Sequence, residues 1–467
     1  MTERLSAMDA SFLAHAKPEH LLGVRLLVFA GPAPGFDAFL DHVRGRLPLA
    51  PRLRQRVRRG ALELRRPRWE EDRDFDLRRH VRPMERPSAA SASDLESLSA
   101  ALLNAPMDLG RPLWELRYIE GLPGGRFAAG VRFHHSLGDG NANTSLLAEL
   151  FPPLAGAGPG TRSEPGRASR SPGVDPARAV KRGALRLERR LASLHPRRLR
   201  RRARRRAKAI ALARRSPSAA LDRSVRVDRS VRLLSVPLAD LRHARQAFDT
   251  TVNDLVVAAV AGALRRTAIR RGAPALNSFA LIAVSVRRPG DPELGNRAAS
   301  IRCELPIAEP DARERLRRVT DSLSAVVSAA RAMGAPAEVI GPQVWRDHLT
   351  RREALEAPPF DLIVTNTRGS AVPLSCCGRQ AEEVLLSGPT IQFDGPVIRV
   401  SSYLDSLTIA ITVDPARIAN GGALAVDLRA SLDELLALAR HSAGDAGHSS
   451  GGAWIGTPWP RSITSSA

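Results

Sequence analysis

The chain has 467 residues, 43% of them apolar, with a formal net charge of +23. That length exceeds one ordinary core and suits two domains. Cysteine is scarce: Cys303 stands alone and Cys376 and Cys377 are neighbours, which excludes a disulfide framework, offers no zinc spacing and points to a reducing compartment.

Residues 1–155 alternate between strand and helix patterns. Val24 to Phe29 reads as a strand. Asp37 to Leu47 reads as a helix, with Phe39, Val43 and Leu47 on one face. Ser93 to Leu103 is expected to be helical, capped by Ser93 or Asp94. Trp114 to Glu120 and Phe127 to His135 are two strands, and Gly121-Leu122-Pro123-Gly124-Gly125 between them predicts a hairpin. A helix from about Asn143 to Phe151 follows.

Residues 156–223 read as a linker. Its first part is rich in Pro, Gly and Ser. Its second part, Arg178 to Arg215, holds seventeen Lys or Arg and one acid, Glu188. Val180, Ala184, Leu187, Leu191 and Leu194 share a helical face, and Leu199, Ala203, Ala207 and Ile210 repeat it after Pro196, so two basic amphipathic helices are predicted. Such a segment is a solvated face, a surface for anionic lipid or a nucleic-acid contact. The amphipathic spacing favours lipid, and with two tyrosines and no zinc or RNA-binding motif, nucleic acid is the weakest of the three.

The second α/β region, 224–443, opens with a strong helix, Val252 to Arg271, and a strand, Phe279 to Val286. Ala312 to Met333 is helical with Asp311 as cap. Strands follow at Asp361 to Thr365 and within Val397 to Val413, and Ser431 to His441 is the last helix. Residues 444–467 read as a loose tail. The polar N-terminus lacks a signal core. The apolar runs at 21–30 and 255–264 are too short or too interrupted by arginine to span a bilayer.

The chemistry concentrates at His134-His135-Ser136-Leu137-Gly138-Asp139-Gly140. Strand alternation puts Phe127, Ala129, Val131, Phe133 and His135 on one face, and Arg132 and His134 on the other. His135 therefore ends a strand facing the interior, where a half-buried imidazole opening into a cleft suits a general base. Asp139 is placed to fix its geometry, directly or through a distant arginine, and Gly140 to allow an unusual backbone. Adjacent strand residues point apart, so His134 and His135 do not form a metal site.

These residues resemble the HHxxxDG signature of the CoA-dependent acyltransferase superfamily. Leu5 to Leu13 is similar to the opening of the bacterial wax ester synthase/diacylglycerol acyltransferases. Pro112-Leu113-Trp114 is similar to their PLW element, and Thr251-Val252-Asn253-Asp254 to their ND element. Val284 to Arg287 followed by Gly295-Asn296-Arg297 also fits, the resemblance spanning about residues 4–440. Where that family has Asn-Val-Pro-Gly-Pro, this chain has Asn366-Thr367-Arg368-Gly369-Ser370.

The resemblance implies an α/β (α+β) fold of two pseudo-symmetric chloramphenicol-acetyltransferase-like domains with the active site between them. It also implies acyl-CoA as co-substrate rather than a bound cofactor or metal, and diacylglycerol or a fatty alcohol as acceptor. His135 would be the base, with His134 supporting and Asp139 structural. Asn253 would be a polar contact near the site or a helix cap with Asp254, and Trp114 packing. The expected location is cytoplasmic, peripheral to the inner membrane or lipid inclusions through Arg178–Arg215.

Overall fold

In the computed structural model, residues 3–13, 18–59, 66–85, 95–154, 228–285, 287, 291–332, 360–388, 395–418 and 421–444 are described. The two expected basic helices, the cap at Ser93 or Asp94 and nearly all of the 444–467 tail lie outside them. Residues 1–157, 229–286 and 292–467 form one compact unit, and 158–228 with 287–291 form a second. The fold and the site described below belong to the first.

Its N-terminal half runs α1 (Ala7–Phe12), β1 (Leu22–Phe29), α2 (Phe36–Arg46), a hairpin of β2 (Gln55–Arg58) and β3 (Arg68–Glu71), α3 (Leu77–His80), β4 (Val81–Pro83), α4 (Leu95–Asn104), β5 (Trp114–Ile119), β6 (Phe127–His134) and α5 (Gly140–Leu150). Its C-terminal half runs β7 (Ser230–Pro237), α6 (Leu238–Ala247), α7 (Val252–Arg270), β8 (Ser278–Ser285), β9 (Ala298–Leu305), α8 (Ala312–Ala332), β10 (Leu362–Thr367), β11 (Ser375–Cys376), β12 (Arg379–Ser387), β13 (Val397–Tyr403), β14 (Ser406–Val413) and α9 (Gly421–Gly444).

Each half is built on a six-stranded sheet, with orders β11-β12-β1-β6-β5-β4 and β7-β14-β13-β10-β8-β9. The α/β class and the pairing of two similar halves stand as expected, and the hairpin β5–β6 forms with Trp114 opposite Phe133. Strand exchange was not foreseen. β12 belongs to the C-terminal half in sequence, yet pairs antiparallel with β1, Leu26 opposite Leu385. Its sequence, RQAEEVLLS, is polar where it meets solvent and apolar where it is covered, so it shows no clean alternation.

β6 is buried along its whole length, because α4 covers one face and α2 and α5 the other. Leu98, Leu102 and Leu103 pack with Ala128, while Phe39, Val43, Leu146 and Leu150 pack with Phe127, Ala129, Val131 and Phe133. In the other half, Leu255 to Ala261 of α7 are buried in unbroken succession between the sheet, α8 and α9. A helix apolar on every side is what a central position requires. No single helix among the described residues is long and apolar enough to cross a membrane.

Two boundaries need correction. The last helix begins at Gly421, not Ser431: the pair Gly421-Gly422 reads locally as a loop, while Leu424, Ala425 and Leu428 behind it are buried against the core. α5 begins at Gly140, not Asn143, because Asp139 is its N-cap. Asp311 caps α8 as expected, its Oδ1 accepting from the Glu314 amide at 2.7 Å.

Candidate active site

β6 ends at His134, and the chain turns through 135–139 into α5. The two histidines part company there, as strand alternation requires. His134 is fully buried; its Nε2 lies 2.7 Å from the Pro18 carbonyl and its Nδ1 accepts from the Ser136 amide at 3.1 Å. Those partners assign the proton to Nε2. Both ring nitrogens are occupied by main chain, so His134 is a fastener that holds the turn.

His135 faces a cavity of about 110 Å³ whose lining comes from both halves, including Met8, Phe12, Thr365, Thr367 and Arg399. Its imidazole stacks on Phe12 with ring centroids 4.3 Å apart. Its backbone is held at both ends: the amide donates to the Leu21 carbonyl at 2.8 Å, and the carbonyl accepts from Asn296 Nδ2 at 2.8 Å. Nδ1 is enclosed without a hydrogen-bond partner, which leaves Nε2 as the nitrogen for a substrate. Burial, then the Arg399 charge, push its pKa down to about 4, against the opposing pull of its own carbonyl, Asp139 and Asn296. At neutral pH the ring is therefore uncharged and able to accept a proton.

Asp139 lies in the same turn. Its Oδ1 accepts from the Ala142 amide at 2.9 Å and its Oδ2 from the backbone amide of Arg297 at 2.8 Å. It caps α5 and ties the turn to the 295–297 segment. The arginine expected as a partner contributes here through its main chain. Gly140 corrects a second expectation. It is the first residue of a regular helix, and what it supplies is space, since a Cβ there would lie 2.3 Å from Thr367 Oγ1.

Pro112-Leu113-Trp114 forms a tight turn, the Trp114 amide donating to the Pro112 carbonyl at 2.8 Å. That turn delivers the Leu113 carbonyl to the His134 amide at 3.0 Å. Trp114 itself is fully buried, donates Nε1–H to the Leu53 carbonyl at 2.7 Å and stacks on His80, so it is packing, as anticipated.

Asn253 and Asp254 do not join the site. The cap of α7 is Thr251, which accepts from the Asp254 amide at 3.1 Å while Asp254 Oδ2 accepts from the Thr251 amide at 3.2 Å. This capping box accounts for Asp254. Neither residue is among the described residues lining the cavity.

Sequence reasoning missed Asn296, Asp9, Arg25 and Arg399. Asn296 binds Asp9 Oδ1 as well as His135, through both its amide (3.1 Å) and its Nδ2 (2.7 Å). The glycine before it, Gly295, has φ +83°, a conformation open to glycine. Gly295-Asn296-Arg297 and Leu5 to Leu13 were singled out only as matching strings, and their shared purpose is visible only in three dimensions. Arg25 is 2% exposed and donates Nη2 to the Gly140 carbonyl at 2.7 Å and to Thr144 Oγ1 at 2.9 Å. Arg399 is 8% exposed. Burial lowers its pKa to about 10, and burial followed by repulsion from Arg399 does the same for Arg25. Both remain charged at neutral pH.

No metal spacing is legible in the sequence, yet the fold brings His42, Cys376 and Cys377 together with ligand atoms within 4.8 Å of one another. His42 Nδ1 accepts from the Cys377 amide at 3.4 Å and Nε2 lies 3.0 Å from the Leu150 carbonyl, so main chain already occupies that ring.

Residues 5–256 match the wax ester synthase/diacylglycerol acyltransferase catalytic domain, and residues 294–436 match the C-terminal domain of the same enzymes. The chain belongs to this family. A probable diacylglycerol O-acyltransferase of Mycobacterium tuberculosis is 30% identical over 453 residues, 93% of this chain and 96% of that protein. In fold, the chain is similar to a wax ester synthase/diacylglycerol acyltransferase from Marinobacter aquaeolei (TM-score 0.64, 23% identity, 94% and 100% coverage). It is also similar to the first condensation domain of the CDA synthetase (TM-score 0.58, 17% identity, 94% and 96% coverage). The chain is accordingly an acyl-CoA-dependent acyltransferase of the wax ester synthase/diacylglycerol acyltransferase family. Three of the strings that resemble the family are parts of one construction: α1 supplies Phe12 and Asp9, the PLW turn fixes His134, and Gly295 to Arg297 fixes His135 and Asp139.

Proposed function

We propose that the chain esterifies a hydroxyl group with a long-chain acyl group from acyl-CoA, diacylglycerol or a fatty alcohol being the acceptor, with His135 as general base. The hydroxyl proton passes to His135 Nε2 as the oxygen attacks the thioester carbonyl. Collapse of the tetrahedral adduct breaks the C–S bond, and the imidazolium returns the proton to the departing CoA thiolate. Both substrates are bound together and no acyl-enzyme forms. General-base assistance of this kind contributes roughly 10²–10⁴-fold, and positioning in the cavity supplies more.

The observation that carries the reading is the state of His135: uncharged, stacked on Phe12, held by Asn296 and Leu21 through its backbone, with one ring nitrogen left for the cavity. His134 and Asp139 support it from behind, and Gly140 lets α5 approach β10. The family's relatives named as diacylglycerol O-acyltransferases support the acceptor class. Arg178–Arg215 is proposed to rest on an anionic membrane or lipid-droplet surface, each basic residue near the surface contributing about 1 kcal/mol.

The test is CoA release by the purified protein given palmitoyl-CoA with dipalmitoylglycerol or hexadecanol, beside His135→Ala. Acceptor-dependent release that disappears in the variant is expected. Undiminished release by His135→Ala overturns the assignment of the base. Deleting 178–215 is expected to weaken binding to anionic liposomes, and undiminished binding removes the surface role.

A further inference from the structure

His42 of α2 and Cys377 are 335 residues apart in sequence, so no motif announces that the fold brings them together. Cys376 ends β11 and pairs with Arg379 of β12, which makes Cys377 and Gly378 the two loop residues of a hairpin. Both have positive φ, +49° and +72°. Asn, Asp and Gly ordinarily fill the first of these positions, and a cysteine there holds a strained conformation. Its effect is one of direction. Neighbours along a strand point apart, yet the turn swings the Cys377 sulfur round to 3.8 Å from the Cys376 sulfur. Zinc–sulfur bonds of about 2.3 Å at the tetrahedral angle also put two sulfurs about 3.8 Å apart.

His42 completes the set. Its ring nitrogens meet main chain on unequal terms: Nε2 lies 3.0 Å from the Leu150 carbonyl, and Nδ1 accepts only a long contact, 3.4 Å, from the Cys377 amide. The amide on Nδ1 assigns the proton to Nε2. An imidazole whose N–H is anchored on a backbone carbonyl, with its other lone pair turned towards the ligand set, has the arrangement found at metal centres. The ring is also stacked on Phe151. The Cys377 thiol reaches the Ala38 carbonyl at 3.6 Å, one helical turn before His42, which lays its sulfur along α2 beside the ring. The three ligand atoms lie within 4.8 Å of one another. A tetrahedral zinc site needs about 3.6 Å between nitrogen and sulfur, so side-chain shifts of about 1 Å close it. Binding releases the thiol protons, and two thiolates then cancel the charge of a divalent ion. Cys376 is buried while His42 and Cys377 are half-buried, which leaves a fourth position to water.

We propose that His42, Cys376 and Cys377 form a site for a thiophilic divalent cation such as zinc, clamping the β11–β12 hairpin onto α2 and the end of α5. The clamp lies where the chain crosses between halves. β12 joins the N-terminal sheet beside β1, and the Ser375 and Leu154 amides bond the Pro152 and Pro373 carbonyls. Leu150, which anchors His42, is the last residue of the helix whose start Asp139 caps at the catalytic turn. The ion is structural and takes no part in acyl transfer.

The test is titration of full-length, metal-free protein with Co²⁺ under anaerobic conditions. The unfolded protein is first shown to have all three cysteines as free thiols. One equivalent is expected to bind with near-ultraviolet thiolate-to-cobalt absorption, and zinc is expected to displace it. Cys377→Gly, Cys376→Ala and His42→Gln should each weaken binding at least about a hundredfold, since loss of an outer-shell partner alone costs 10–100-fold. Glycine suits the positive φ at 377, so that variant is expected to fold at least as well without metal, and its loss of binding is not misfolding. Cys303→Ala, in the C-terminal core, should change nothing. Zinc should raise the melting temperature of the parent protein and not that of Cys377→Gly. Cobalt that binds without thiolate absorption overturns the proposal, as does no binding to protein with free thiols. Undiminished affinity in Cys377→Gly or His42→Gln overturns it too, and so does a zinc-induced rise in melting temperature that is equal with and without Cys377.

Discussion

On one face of β6, Arg132 and His134 are surrounded by partners; on the other, His135 and the facing Arg399 of β13 are not. Arg132 is 1% exposed and is met by Glu115 and by the carbonyl of Ala105. His134 has main-chain partners on both ring nitrogens. Across the strand, His135 Nδ1 and Arg399 Nε have none. The two faces differ in burial as well, since His135 is half-buried where Arg132 and His134 are fully buried. Arg132 Nε is likewise without a partner, so the contrast lies in charge: behind the strand Glu115 answers Arg132, and in front no described carboxylate pairs with Arg399.

His135→Ala tests the front face and carries the largest expected effect. kcat/KM should fall by roughly 10²–10⁴, while the melting temperature moves little, because the hydrogen bonds of residue 135 are main-chain bonds and survive the change. Replacing Arg132 tests the rear face. Arg132→Leu strands the Ala105 carbonyl and leaves Glu115 with Arg117 alone, and breaking a buried pair costs up to about 3–5 kcal/mol, measurable by urea unfolding. Arg399→Leu in the same assay should cost nothing and raise stability, since no partner is stranded. Equal losses from the two arginines would erase the distinction between the faces.

The acid limb of the pH profile sharpens the comparison further. A depressed histidine pKa means that the base form, and hence kcat/KM with a neutral acceptor, persists as pH falls through 6.5 and is lost only as it approaches about 4. In Arg399→Leu the second cause of the depression is gone, so the limb should move upward. A wild-type limb near 6.5 would mean that water reaches the ring and that burial does not control its charge.

The rear face was largely legible in the sequence and the front only in part. Period-two alternation along 127–135 assigned each side chain of β6 to its face, and the turn residues at 121–125 gave the hairpin. His135 was legible because its motif is local. Asn296 and Arg399 were not, since they come to the site through contacts spanning 161 residues in one case and through a neighbouring parallel strand in the other. Arg399 sits in a run, Val397 to Val400, whose pattern says only strand; nothing in it tells a solvated arginine from a buried one. Strand exchange by β12 was hidden for the same reason, because partner choice in a sheet is not written in either strand alone. For Asn253-Asp254 the sequence left a site contact and a helix cap equally open, and the structure places Asp254 in the capping box of α7.

The smallest effect concerns the joint between the faces, where α5 meets β10. Gly140→Ala places a methyl group 2.3 Å from Thr367 Oγ1, and the Gly140 carbonyl also receives Arg25, so the helix start has little room to retreat. Overpacking at such a contact costs about 1–3 kcal/mol. Removing the obstacle tests the cause. Thr367→Ala should recover at least half of that loss in the double variant, giving a coupling of about 0.5–3 kcal/mol by a double-mutant cycle. Additive effects would show that the glycine answers to backbone conformation rather than to the approach of Thr367. His135 would then be held by Leu21, by Asn296 and by the turn that Asp139 fixes, with no contribution from the tightness of the α5–β10 contact.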